Sequence, residues 1–402
     1  MMRAEFSDSS NYLEVPAASL QPGMYVAALD RPWLETPFAL QGFYITSRED
    51  AEFVAEHCAF VYVDPRRRST AAEVVKHAKP RRTYRERSDL KSEIKTAEVD
   101  LTSANEAMAK VFGQLKTGAH LDVDVIRAAV NPLLESVLRN SQALAALVRM
   151  KRRGDYLYGH SIAVAVWAAV LGRHLGLDRD QLEKLVLGAA LLDVGMTRID
   201  EAIPKSSEPL NDRTRTEVRS HVDLSLTMLK EAGDVPGEII EMVGAHHERF
   251  DGSGYPHGTA GMEIPMFARI AGLVDSYDAM ITSRPFAGCR SSFEAMQELA
   301  DAKDLLFQGA LVEQFMQAIG LFPTGSVVEL NTGEIGIVVQ QNSARRLRPK
   351  VALVLDGQGN RHATLTVIDL ASYGTGGGQG DRWITRELEP GAHGIQPDEF
   401  FL

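Results

Sequence analysis

An eleven-residue run from His246 to Pro256 constrains the fold of this chain more than any other part of the sequence. It begins with two adjacent histidines and continues through Asp-Gly-Ser-Gly-Tyr-Pro, which cannot continue a helix. We therefore predict a helix that ends at His246 and His247, with a tight loop directly behind it. Adjacent histidines project in different directions, so this helix end can offer nitrogen ligands to neighbouring metal ions. A metal cluster beside a glycine-rich loop suits a site that handles phosphate esters.

The composition predicts an acidic protein of two or three domains. The chain has 402 residues, of which 45% are apolar, enough for real hydrophobic cores. Its net charge of −11 argues against binding of a nucleic-acid polymer, because a phosphate backbone would be repelled. The two cysteines, Cys58 and Cys289, are too few for a disulfide framework and fit a reducing compartment.

The distribution of apolar residues predicts a cytoplasmic protein. No basic segment followed by an apolar run stands near the first residue, so we expect no signal peptide. The longest candidate stretch, Ile162 to Gly172, is well short of the roughly 20 residues that cross a bilayer. We therefore expect no transmembrane segment.

The hydrophobic pattern of the first 150 residues predicts three segments. Residues 1–65 alternate short apolar runs with turn residues, which predicts a small β-rich domain with one helix near Arg48 to Cys58. Residues 66–95 hold 11 Lys or Arg against 4 Asp or Glu. This favours a basic, solvated linker over residues 66–99, with a nucleic-acid or membrane patch as the alternative. Residues 100–150 have helical periodicity and are predicted to carry input to the helical body that follows.

The remainder of the chain is predicted to be a helical body followed by strands. Residues 151–322 contain consecutive helical patterns, such as the buried face formed by Leu182, Leu185 and Val186. Beyond Phe322 the apolar period changes to that of strands, which predicts a C-terminal β segment over residues 323–402. The fold class is therefore mainly α, with a small β-rich unit at each end.

Six histidine and aspartate residues are candidate metal ligands. Each lies in or at the end of an apolar helix, where a charged or imidazole group would otherwise be costly to bury. Four histidines and two carboxylates suit a pair of divalent transition-metal ions. A single buried histidine is more often a hydrogen-bonded core residue, but two adjacent buried imidazoles need more partners than a core provides. The candidates are His160, Asp193, His221, His246, His247 and Asp275.

The run from His246 to Pro256 resembles the signature of the HD-GYP family of bacterial cyclic di-GMP phosphodiesterases. The resemblance extends over about residues 156–286, where Leu192-Asp193 occupies the place of the family's His-Asp dyad. It implies an HD-type helical bundle with two divalent ions, iron or manganese, bridged by Asp193 as the catalytic carboxylate. The implied activity is hydrolysis of cyclic di-GMP to linear pGpG, with GMP as a further product. The residues implied in substrate binding are Gly254, Tyr255, Pro256 and Arg284.

Four positions depart from the family's pattern, and each touches the chemistry. Leu192 stands where the dyad has its histidine, and Met196 where the family has a lysine near the scissile phosphate. Ala287 replaces a basic residue three positions after Arg284. Tyr156 stands where some members carry a glutamate for a third metal ion. A lost ligand and lost cations lower the expected metal affinity and rate.

Several hypotheses about function therefore compete. The first is an active cyclic di-GMP phosphodiesterase, and the second is an impaired homologue that senses cyclic di-GMP or docks signalling proteins. A hydrolase of another nucleotide is a third hypothesis, which the Asp-Gly-Ser-Gly-Tyr-Pro loop disfavours. Residues 13–64 resemble a small uncharacterised domain often found ahead of HD-GYP modules. A second copy of the chain is an expected partner, because helical signalling modules often pair through the helices that precede them.

Overall fold

The computed structural model describes residues 12–31, 43–45, 48–68, 83–150, 156–205, 211–282, 289–342, 345, 347–373, 381–389 and 391–401. Within these residues the chain forms an N-terminal sheet, a helical body and a C-terminal sheet. The predicted fold class, mainly α with a β-rich unit at each end, is confirmed. None of the helices in this part of the chain combines the length and hydropathy that a bilayer crossing requires.

The N-terminal unit is a four-stranded antiparallel sheet packed against one helix. Val26 and Val61 of the sheet and Val54 of the helix are buried in a small core of their own. The strand order is β1-β4-β2-β3. The elements are β1 (Leu13–Pro16), β2 (Met24–Leu29), β3 (Phe43–Tyr44), α1 (Arg48–His57) and β4 (Phe60–Arg68). Helix α1 confirms the helix predicted near Arg48.

The helical body begins earlier than the sequence predicted. Helix α2 (Leu90–Lys116) starts inside the predicted linker 66–99. The Asp89 side chain caps it by accepting from the backbone N–H of Ser92 at 3.0 Å. Ile94, Ala97 and Leu101 then bury one face at helical spacing, while lysines on the opposite face gave this stretch the composition of a linker. Residues 69–82 of the predicted linker lie outside the described residues.

Eleven more helices follow in the described residues, and all of them except the short α7 and α8 share one hydrophobic core with α2. They are α3 (Val123–Arg139), α4 (Ser141–Met150), α5 (Tyr156–Leu175), α6 (Arg179–Leu191), α7 (Ala202–Lys205), α8 (Asp212–Arg219), α9 (His221–Ala232), α10 (Gly237–Ala245), α11 (Met266–Ile281), α12 (Ser292–Asp301) and α13 (Gly309–Ile319). Helix α5 lies at the centre, because it packs against α3, α4, α6, α11 and α13. Its apolar surface is buried nearly all round, and Trp167 is completely enclosed.

The C-terminal unit is a five-stranded antiparallel sheet in the order β8-β7-β6-β5-β9. Its strands are β5 (Val327–Leu330), β6 (Ile335–Gln340), β7 (Lys350–Leu355), β8 (Arg361–Asp369) and β9 (Ile384–Leu388). The first three coincide with the strands that the apolar runs 326–330, 336–339 and 351–355 predict. The sequence pattern did not predict β8 and β9, because few of their residues are buried. An ion pair of 2.7 Å between Arg149 and Glu387 joins α4 to β9.

Candidate metal centre

The six side chains predicted as metal ligands come together at one place in the helical body. They lie on α5, after α6, at the start of α9, behind α10 and on α11. Their ligand atoms form two groups that share Asp193, and within each group the atoms lie within 4.8 Å of one another. The first group is Asp193, His221, His246 and His247, and the second is His160, Asp193 and Asp275.

Helix α9 holds the turn that carries Asp193. The Ser225 hydroxyl donates to the carbonyl oxygen of Leu192 at 3.0 Å and accepts from the backbone N–H of Gly195 at 2.8 Å. Both bonds join residues on either side of Asp193 to the helix that begins at His221. The result is a separation of 3.2 Å between Asp193 Oδ1 and His221 Nε2.

Backbone carbonyls set the tautomers of two histidines. The Nδ1 of His221 donates to Val218 at 2.7 Å, and the Nδ1 of His246 donates to Val243 at 2.8 Å. Because a carbonyl only accepts, each ring in its neutral form keeps the lone pair on Nε2. These two Nε2 atoms face each other at 3.5 Å, with Asp193 Oδ1 at 3.2 and 3.9 Å. These two nitrogens and the carboxylate oxygen are three acceptors that face one another, so they need a positive charge between them. A proton can bridge only two of them, whereas a metal ion can bind all three.

A buried carboxylate supports His160 from behind. The Nδ1 of His160 lies 2.8 Å from Asp278 Oδ2, and its Nε2 lies 2.8 Å from Asp275 Oδ1. The second oxygen of Asp278 accepts from the indole N–H of Trp167 at 2.9 Å. Asp278 is 1% exposed, so its carboxylate supports His160 and is not solvated. Its position one turn after Asp275 was the signal for this role.

Burial and charge give Asp193, His246 and His247 the deprotonated states that metal ligands need. Burial by itself would raise the pKa of the Asp193 carboxyl, but the hydrogen bond and charge of His221, with the charges of His160 and His246, hold it below its usual range. Burial lowers the pKa of His246 and lowers that of His247 well below the ordinary value. His221 is different: burial opposes its protonation, but Asp193 raises its pKa overall.

The glycine-rich loop folds back against the histidines. The ring of Tyr255 stacks on that of His247, with centroids 4.6 Å apart and planes 25° from parallel. Its backbone N–H donates to the carbonyl oxygen of His247 at 3.2 Å. A Cβ at Gly254 would lie 2.5 Å from that same oxygen, so only glycine allows this approach. The Tyr255–Pro256 peptide bond is cis.

Two charged residues that the sequence left unassigned hold the loop from inside. Glu248 is buried and accepts from the backbone N–H of His257 at 2.8 Å. The Arg249 guanidinium donates to the carbonyl oxygens of His246 at 3.2 Å and Glu248 at 3.1 Å, and lies over the ring of Phe307. Burial lowers the pKa of Arg249. The sequence feature that could have identified both residues is their position between the two histidines and the glycines.

The departures from the family pattern have different places in the structure. Leu192 is buried at the end of α6 and offers no ligand atom beside Asp193. Met196 is half-buried in the short 3-10 helix that comes next. Arg284 and Ala287 lie outside the described residues. The group around His160 therefore has three candidate ligands where the other has four.

Three family models match successive parts of the chain. The model described as "HD domain" matches residues 132–311. "Domain of unknown function (DUF3391)" matches residues 12–126, which include helix α2 as well as the N-terminal sheet. "KOW domain associated with HD domain" matches residues 327–375, in the C-terminal sheet.

Similar proteins are known in several bacteria. A cyclic di-GMP phosphodiesterase of Pseudomonas aeruginosa is 29% identical over 370 residues, which are 90% of this chain and 89% of that protein. The 3'3'-cGAMP-specific phosphodiesterase 1 of Vibrio cholerae is 30% identical over 164 residues, which are 40% of this chain and 37% of that protein. A solved structure of an HDGYP protein from Bdellovibrio bacteriovorus aligns with a TM-score of 0.47 and 15% identity, over 76% of this chain and 98% of that one.

Proposed function

We propose that the chain belongs to the HD-GYP branch of the HD-domain family and is a metal-dependent phosphodiesterase that hydrolyses cyclic di-GMP to linear pGpG. The observation that carries this proposal is the convergence of four histidines and two aspartates in two groups that share Asp193. The similarity to a cyclic di-GMP phosphodiesterase, which extends over 90% of the chain, supports the choice of substrate.

We infer that the two groups hold two divalent metal ions, with Asp193 as their common ligand. Imidazole nitrogens and carboxylate oxygens are donors that suit iron or manganese. When bound, such ions generate a nucleophile from water and neutralise charge on the phosphate. By this proposal the first group binds its ion more tightly, because Leu192 leaves the second group with three ligands. Its members are Asp193, His221, His246 and His247, and those of the second are His160, Asp193 and Asp275.

The surrounding residues keep the proposed ligands ready. Carbonyl oxygens hold His221 and His246 in the tautomer whose Nε2 can ligate, and Asp278 does the same for His160. Arg249 holds the backbone between His246 and the glycine-rich loop. The loop forms a wall beside His247. We propose that the substrate contacts this wall through Gly254, Tyr255 and Pro256, with Arg284 binding a phosphate.

Hydrolysis of 3'3'-cGAMP is a second candidate, because a Vibrio cholerae relative has that named specificity. Its alignment covers 40% of this chain, whereas that of the Pseudomonas aeruginosa enzyme covers 90%. The longer alignment, with the Pseudomonas aeruginosa enzyme, favours cyclic di-GMP as the substrate. The same similarity favours an active enzyme over an impaired homologue.

We also propose that the chain acts in the cytoplasm and pairs with a second copy through the helices ahead of the metal centre. Helices α2 and α3, which precede the centre, carry exposed Val99 and Val125. A mass near twice that of the monomer in light scattering would support pairing, and a monomer at working concentration would refute it.

The function is tested by metal content and turnover on the same sample. Anaerobically purified protein is loaded with iron or manganese, its metal is measured by elemental mass spectrometry, and both nucleotides are offered as substrates. We expect linear product from cyclic di-GMP. His221→Ala should lower both metal content and turnover, whereas His120→Ala, at an exposed histidine outside the two groups, should change neither. Metal-loaded protein that cleaves neither nucleotide would refute the proposal.

A further inference from the structure

Arg219, the last residue of α8, adds one more layer to the rings stacked at the metal centre. Its guanidinium carbon lies over the Tyr255 ring, 4.7 Å from the centroid. The same ring lies 4.6 Å from that of His247. The His247 ring and the guanidinium therefore both pack on the Tyr255 ring. The stack therefore runs from a candidate metal ligand to a cation at the surface.

The hydrogen-bonding edge of this guanidinium is available to a ligand. Arg219 is exposed, and no residue in the described ranges forms a hydrogen bond or ion pair with its guanidinium. The N–H groups of a guanidinium form the fork that binds a phosphate with two parallel hydrogen bonds. Arg249, by contrast, is committed to backbone carbonyls inside the loop. Arg219 is therefore placed to meet a substrate anion, and Arg249 is not.

The distance from the ligands indicates which anion Arg219 meets. Two stacking distances, of 4.7 and 4.6 Å, separate the guanidinium from the His247 ring. A phosphate oxygen held by a metal ion would lie within about 4 Å of the ligand atoms, since both bonds to the metal are roughly 2 Å long. The guanidinium packs on the Tyr255 ring, which itself packs on His247, so Arg219 stands one ring beyond this ligand. A cyclic dinucleotide carries a second phosphate, which is the other charged group on the substrate.

We propose that Arg219 is a substrate-binding residue that pairs with the phosphate of the cyclic dinucleotide that is not being cleaved. This inference rests on the proposed function and adds a basis for specificity to it. Arg219 selects substrates with two phosphates, because a simple phosphodiester leaves the guanidinium without a partner. Tyr255 is the platform that holds the guanidinium at the required distance from the ligands.

The test compares two substrates on metal-loaded, full-length variants. Cyclic di-GMP has both phosphates, and bis(p-nitrophenyl) phosphate has only the one that is cleaved. Arg219→Gln should raise KM for cyclic di-GMP by about tenfold or more, as expected for a lost charge-assisted pair, and leave kcat within about twofold. Its metal content and its kinetics on bis(p-nitrophenyl) phosphate should match the wild type. Arg219→Lys should restore part of the affinity, and Arg213→Gln, at an exposed arginine on the same helix, should behave as wild type.

Two outcomes overturn the inference while the proposed function stands. One is an unchanged KM for cyclic di-GMP in Arg219→Gln of an active enzyme. The other is an equal loss on both substrates, which would show that Arg219 acts by holding Tyr255 and His247 in place. If the metal-loaded wild type neither cleaves cyclic di-GMP nor binds it in calorimetry, the proposed function fails, and the inference fails with it.

Discussion

Replacing Asp278 with asparagine should weaken metal binding without removing the fold. The two carboxylate oxygens accept from two different donors, His160 Nδ1 at 2.8 Å and Trp167 Nε1 at 2.9 Å. An amide of the same shape has one acceptor oxygen and one donor nitrogen, so it can satisfy one of these donors. The indole N–H can only donate and draws the amide oxygen to itself. The amide NH2 group then faces His160.

An NH2 group at this place reverses the tautomer of His160. The imidazole must accept at Nδ1, so its proton moves to Nε2, the atom that lies 2.8 Å from Asp275 and belongs to the second ligand group. Loss of such a supporting carboxylate lowers metal affinity by about 10- to 100-fold. If the amide turns the other way, the buried indole N–H loses its acceptor, at a cost of about 1–3 kcal/mol in the free energy of unfolding.

Competition with a fluorescent chelator measures the metal affinity, and thermal unfolding of the metal-free protein measures the stability. Asp223→Asn, at an exposed carboxylate on α9, is the matched control for the loss of one charge. Adding Trp167→Phe to Asp278→Asn removes the competing donor, so the amide oxygen can turn to His160 and part of the metal affinity should return. Wild-type affinity together with a wild-type unfolding midpoint in Asp278→Asn would refute the reasoning.

Three further predictions concern stability, metal occupancy and thiol chemistry. Gly195→Ala should destabilise the protein by about 3 kcal/mol in chemical denaturation, because its Cβ would lie 2.2 Å from a backbone oxygen. Gly113→Ala, with open space around its Cβ, should stabilise it by about 0.5–1 kcal/mol, and the reverse order would contradict the packing around Gly195. Leu192→His should raise both metal content and turnover, and no change in either would mean that this position does not face the second group. Burial raises the pKa of the Cys58 thiol to about 12, so a thiol reagent at pH 8 should label exposed Cys289 alone, and mass spectrometry showing two labels on folded protein would contradict this.

Much of the fold could be predicted because helices and turns are encoded locally. The apolar spacing around Leu182 and Leu185 predicts a buried helical face, and both residues are buried. The helical region was predicted to start at residue 100, which is too late, because exposed lysines obscured the helical spacing of buried Ile94 and Ala97. The predicted segment boundaries within residues 1–150 remain a prediction, although the family match of residues 12–126 groups the N-terminal sheet with α2.

The six candidate ligands could be predicted from residue type and setting, since a histidine or aspartate in an apolar helix needs a partner. The sequence alone also determined that a tight loop comes after His246 and His247, because its glycines and proline exclude a helix. Their role as ligands remains a prediction that the metal measurement tests.

The tertiary structure decided which nitrogen each histidine offers and which residues support it. Asp278 lies 118 residues after His160 in the chain and meets it because α5 and α11 pack side by side. The stack of Arg219 and Tyr255 likewise depends on where the end of α8 meets the returning loop. Residue type and local spacing limit what a side chain can do. Its partner, tautomer and distance from a metal ligand are set by long-range packing, which leaves no periodic trace in the sequence.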